Sequence, residues 1–183
     1  MIVLKFGGTS VGSAQRIRAV AHLVSSIAGR KIVILSAMSG TTDALVQLSQ
    51  RIINAQWQEA EEAVAVLEAR YQSVIEELFE SPDLRKEVWQ ALAPIFAELQ
   101  SQTHNEAFTQ NNEKRILSRG EIISTTLMRF TLREYENINA VHLDALSFMR
   151  INHNGEPEPQ HIQEHLTPLL SAENDPNALF LTE

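Results

Sequence analysis

This sequence predicts an α/β domain built on a mainly parallel sheet, and three observations carry that prediction. An apolar run, Ile2-Val3-Leu4, feeds a Gly7-Gly8 turn and then an amphipathic stretch, which reads as strand, turn and helix. A second run, Ile32-Val33-Ile34-Leu35, is continuous and rich in β-branched residues, as suits a strand covered on both faces. From Trp57 to Leu99 the pattern turns to helical spacing alone, so a helical insertion over about residues 57–103 interrupts the alternation.

The bulk properties bound the function. With 183 residues, 44% of them hydrophobic, the chain can bury the core of a single domain. No apolar run reaches membrane-spanning length, and the amino terminus lacks the charged-then-apolar pattern of a signal peptide. The sequence has no cysteine, which excludes disulfides and thiolate sites and agrees with a cytoplasmic address. A formal net charge of −8 argues against a general nucleic-acid binder, which would need a basic face. Any phosphate site must therefore be local.

The first turn offers one. Two adjacent glycines let backbone approach an anion closely, the following helix brings N–H groups and the positive end of its dipole, and Lys5 adds a mobile charge. Gly7 to Gly12 fits the opening of a P-loop, but Ser13-Ala14 stand where Lys-Ser/Thr would be needed. From the residues alone, a tight connection and a phosphate cradle are equally good readings. The first helix runs over about residues 14–29, with Ile17, Val20, Val24 and Ile27 on one face and Gly29 as its stop.

After the second strand, Ser36-Ala37-Met38-Ser39-Gly40-Thr41-Thr42-Asp43 leads into a helix carrying Leu45, Leu48 and Ile52. Ligands of parallel sheets gather at the carboxyl ends of the strands, so this loop and the Gly7-Gly8 loop should line one crevice. Thr41 or Thr42 can serve as the helix N-cap. In the insertion, Trp57, Ala60, Val64, Leu67, Tyr71, Val74 and Leu78 form one packing stripe. Ser81-Pro82 then starts a second helix, which Pro94 should bend.

Residues 102–112 are polar and read as a loop, followed by a helix over about 113–134. Glu121 lies at the edge of its apolar stripe, where a carboxylate is costly without a partner; Arg119, Arg129 and Lys114 are the ordinary candidates. Gly120 beside it costs about 1 kcal/mol in a helix interior and hints at close approach by a backbone or a ligand. Ala140–Leu143 reads as a strand, Asn154-Gly155 as a hairpin turn, Ile162–Leu169 as a helix kinked at Pro168, and Ala178–Leu181 as a last strand. His161-Ile162-Gln163-Glu164-His165 spells a zinc-peptidase signature, but it lacks a suitable downstream third ligand and both histidines lie off the apolar face. No metal site is assigned.

Three ordered stretches, Lys5-Phe6-Gly7-Gly8-Thr9-Ser10-Val11, Ser36 to Asp43, and Ser118-Arg119-Gly120-Glu121, closely resemble the aspartate kinases of the amino-acid kinase family. The resemblance implies a three-layer α-β-α sandwich and ATP-dependent phosphorylation of the β-carboxylate of L-aspartate, with Mg2+ carried on the nucleotide. It implies Lys5 as the catalytic cation, Lys5, Phe6, Gly7, Gly8, Thr9, Ser10 and Ser36 on the ATP side, and Thr42 and Glu121 as binders of aspartate. It further implies a homo-oligomer when intact, and residues 1–183 as the amino-terminal portion of a longer catalytic domain. On that expectation the chain is truncated, inactive alone, and exposes an unfinished sheet edge. The alternatives are a sister kinase acting on another acid, such as glutamate or N-acetylglutamate, and a non-catalytic nucleotide- or partner-binding half-domain.

Overall fold

The computed structural model describes residues 1–183. Four strands, β1 (Ile2–Phe6), β2 (Lys31–Leu35), β3 (Val141–His142) and β4 (Leu179–Thr182), form one sheet in the order β1-β2-β4-β3, every pair parallel. Six helices accompany them: α1 (Ala14–Ser26), α2 (Thr41–Ile53), α3 (Trp57–Leu78), α4 (Pro82–Gln102), α5 (Gln110–Glu136) and α6 (Pro159–Ser171). β4, last in sequence, is interior to the sheet and buried along its length.

Strand alternation sorts the side chains into two cores. Val33, Leu35, Leu179 and Leu181 face the larger one, which α1 and α5 cover with Ile17, Val24, Ile123 and Leu127. Ile32 and Phe180 point the other way, onto Ile162, Leu166 and Leu169 of α6. The result is the expected sandwich of helix, sheet and helix. α6 serves β2 and β4 but leaves Val3 and Lys5 of β1 exposed. The α3–α4 hairpin thickens the larger side, adding Tyr71, Leu78, Leu92 and Leu99 to the same core over α2 and α5.

Local chemistry sets the element ends. Ser13 caps α1, its hydroxyl accepting from the Arg16 N–H, and α1 stops at Ser26, ahead of Gly29 at φ +81°. α5 begins at Gln110, inside the stretch expected to be a loop, because Thr109 and Asn112 form a reciprocal capping box. Pro94 and Pro168 both lie within helices that run on past them. The Asn154-Gly155 turn is present, closed by an antiparallel bridge between Ile151 and Pro157. No helix is long and apolar enough to cross a membrane.

Candidate functional site

The two loops expected to share a crevice do meet, at the carboxyl ends of β1 and β2. Ser36 N–H donates to the Phe6 carbonyl at 3.0 Å, and Ser39 N–H donates to the Gly8 carbonyl at 3.2 Å. A Cβ on Gly8 would stand 2.5 Å from the Ala37 carbonyl oxygen, so glycine is what permits this contact. Gly7 differs: nothing lies within 4 Å of where its Cβ would be. Packing explains Gly8 and leaves open space at Gly7.

Around that space the polar side chains are uncommitted. Lys5 is exposed on the uncovered face of β1 and has no ion pair. Thr9 and Ser10 are exposed, and Ser10 N–H turns back to the Gly7 carbonyl at 2.8 Å. Ser36 is half-buried. The helix that follows is less available than its position in the sequence implied. Its first residue is Ala14, Ser13 takes the Arg16 N–H, and the Arg16 guanidinium is spent on the Thr9 carbonyl at 2.5 Å. The open space and the free charge therefore lie at the glycine turn and Lys5, rather than at the α1 terminus.

The second loop ends differently from the sequence expectation. The N-cap of α2 is Gly40, at φ +77° and without a side-chain cap, so neither threonine caps the helix. Thr41 is wholly buried and shares a 2.7 Å hydrogen bond with the Tyr71 hydroxyl from α3. Thr42, one residue on, is exposed. Arg70 of α3 donates to the Ser39 carbonyl at 2.6 Å. Burial pushes the Tyr71 hydroxyl pKa up, opposed by the Thr41 hydrogen bond and the Arg70 charge and reinforced by the nearby Glu121 carboxylate.

α5 closes the site from the other side. A Cβ on Gly120 would lie 2.7 Å from Ala37 Cβ and 3.2 Å from Thr41 Cγ2, so this helix sits directly on the second loop. The close approach that Gly120 signalled is to side chains of this loop, rather than to a backbone or a ligand. Glu121, beside it, is half-buried and makes neither an ion pair nor a side-chain hydrogen bond. None of its three expected partners takes it. Arg119 Nε instead bridges to Glu98 of α4 at 2.9 Å, and Arg115 joins the same carboxylate.

The structure therefore brings Lys5 to Ser10, Ser36 to Thr42, and Gly120-Glu121 to one end of the sheet. Sequence reasoning missed both Arg70, which the pattern does not single out, and Tyr71, which reads only as part of a packing stripe. A buried tyrosine hydroxyl must find a partner, and that was the available signal. The zinc-like motif stays apart on α6: the His161 and His165 rings stack at 3.8 Å between centroids, and no three His, Cys, Asp or Glu side chains cluster anywhere in the chain.

Comparison with known proteins gives the following. The model of the amino acid kinase family matches residues 1–176. Lysine-sensitive aspartokinase 3 of Escherichia coli is 31% identical over 162 residues, covering 87% of this chain and 34% of that protein. An aspartate kinase of Pseudomonas fluorescens is 53% identical over 55 residues, which is 28% of this chain and 13% of that protein. Among solved structures, E. coli aspartokinase III with lysine and aspartate superimposes with a TM-score of 0.80 at 26% identity, over 100% of this chain and 40% of that one. The same enzyme with aspartate and ADP gives a TM-score of 0.76 at 26% identity. The chain thus spans about a third of the length of the E. coli relative.

Proposed function

Because this chain belongs to the amino acid kinase family, we propose that it is the amino-terminal part of the catalytic domain of an aspartate kinase. The whole protein would transfer the γ-phosphoryl group of ATP to the β-carboxylate of L-aspartate, giving aspartyl phosphate and ADP. The relatives named for aspartate, and the matched structure that holds aspartate and ADP, support that choice of substrates.

The observation that carries the reading is Glu121. A half-buried carboxylate with no partner, next in sequence to the Gly120 that packs on the loop ending in Thr42, suits the α-ammonium of an amino acid. Thr42 exposes a hydroxyl to the same substrate. Lys5 and the open Gly7 turn meet the phosphates: the lysine stabilises charge on the transferring group, and backbone N–H groups donate to its oxygens. Ser36 contributes its hydroxyl on the nucleotide side. Magnesium carried on the nucleotide's own phosphates would neutralise their charge.

No general base is required. The β-carboxylate, with an ordinary pKa near 3.9, is ionised at neutral pH and attacks unaided. The residues work by positioning and charge neutralisation.

The test is ATP-dependent acyl phosphate formation, trapped with hydroxylamine, for this chain and for the longer reading frame that contains it. Activity with aspartate and not glutamate in the longer protein is the expected result. Silence with both acids would move the chain to the binding-module reading. In the active protein, Glu121→Gln should raise the aspartate KM about tenfold or more with little change for ATP, since it removes a charge-assisted hydrogen bond. Equal losses for both substrates would remove Glu121 from the aspartate side.

A further inference from the structure

The loop that ends in Thr42 is held by more than its own turn. At its centre Gly40 takes a left-handed conformation, and the residues on either side are each gripped by α3. Arg70 donates to the Ser39 carbonyl at 2.6 Å, and Tyr71 shares its hydroxyl with Thr41 at 2.7 Å. The two α3 residues are adjacent in sequence, and the Arg70 guanidinium lies 6.0 Å from the centre of the Tyr71 ring. On the opposite side Gly120 presses on Ala37 and Thr41, so the loop is clamped between α3 and α5.

This geometry bears on Glu121 as well as on the loop. Tyr71 is fully buried and close enough to Glu121 to feel its charge. On the aspartate reading, loosening the clamp would therefore shift Thr42 relative to Glu121. The nucleotide side is attached differently: its glycine turn reaches this loop through the Ser39 N–H to Gly8 hydrogen bond, and Lys5 stands on β1.

We infer that Arg70 and Tyr71 are positioning residues, through which the helical hairpin fixes the Ser39–Thr42 turn and so sets the affinity for the amino-acid substrate. The inference rests on the aspartate reading for the identity of that substrate, and on the two hydrogen bonds for the clamp. Arg70 does its work at the surface, so Arg70→Met leaves the core untouched. Tyr71→Phe removes one hydroxyl and strands Thr41. The double variant Thr41→Val/Tyr71→Phe removes both members of that buried pair, which restores polar balance without restoring the link.

Two readouts decide it. In this chain, amide hydrogen exchange should accelerate about tenfold at Ser39, Thr41 and Ala44 in Arg70→Met, while amides in α4 keep their rates. In the longer protein, Arg70→Met should weaken aspartate about tenfold and ATP less than about twofold, and the double variant should recover thermal stability but not aspartate affinity. Unchanged exchange at the turn overturns the inference, as does uniform acceleration across the chain, which would mark a merely stabilising role. So does a double variant that recovers both properties. If the unmodified protein binds no aspartate, the aspartate reading falls, and exchange at the turn alone decides whether Arg70 and Tyr71 hold it.

Discussion

Adjacent glycines at the first turn have opposite reasons to be glycine. A methyl group at Gly8 would collide with the Ala37 carbonyl oxygen at 2.5 Å, whereas at Gly7 it would enter empty space. Gly8→Ala should therefore cost about 1–3 kcal/mol of stability through overpacking, read from urea unfolding. Gly7→Ala should leave the unfolding midpoint in place and weaken binding of ATP. Lys31 is a second position where burial decides the outcome. It is 3% exposed, has no ion pair, and lines a cavity beside Asp175 at the opposite end of the sheet. Burial pushes its pKa below the ordinary 10.5, and Asp175 only partly opposes this. A lysine depressed in the folded state releases its proton more readily there than in the unfolded chain. Its stability contribution is therefore greatest above about 10.5 and falls as pH drops through the folded value. Lys31→Met should accordingly raise the urea midpoint near neutral pH, with the gain shrinking as pH approaches about 10.5. No gain at neutral pH would mean that Asp175 compensates the charge in full.

Among the elements, the α3–α4 hairpin was the plainest to read and the least understood from sequence. Its stripes fixed both helices, and Ser81 does cap α4, accepting from the Leu84 N–H at 3.3 Å ahead of Pro82. Ser81→Ala should cost about 1 kcal/mol. Leu92→Ala, at a fully buried position of the same helix, should cost about 2–5 kcal/mol, and urea unfolding of the pair would separate cap from core. What the stripes could not say is where the hairpin docks. Periodicity gives the buried face of a helix but not the identity of what lies against it. The roles of Glu98, which takes Arg119 and Arg115, and of Arg70 and Tyr71 follow only from that docking. The early start of α5 is a local departure: residues 102–112 are polar and suggest a loop, but Thr109 and Asn112 cap the helix there.

For the molecule as a whole, the exposed side of β1 matters most. It is an edge strand with Ile2 45% and Val3 59% exposed, and the α6 layer stops short of it. Unpaired strand edges with apolar side chains recruit other strands. This chain should self-associate in sedimentation experiments, increasingly so as salt screens its net charge of −8. Val3→Lys should suppress that association. Monomeric behaviour at high salt and high concentration would show that the edge is passive.

The α/β class, the order of the strands and helices along the chain, and the two loops at the head of the sheet are all legible in the amino-acid sequence. Those features are written in local periodicity and in glycine spacing, which need no knowledge of distant residues. The sequence also marks Gly120 as a point of close approach, because a helix does not carry that cost without a neighbour. It took the packing of the helices to make Ala37 and Thr41 that neighbour, to engage Arg119 with Glu98, and to leave Glu121 free. A charged residue can reach several partners from one sequence position, and the one it meets depends on how separate helices pack, which no single stretch of chain encodes.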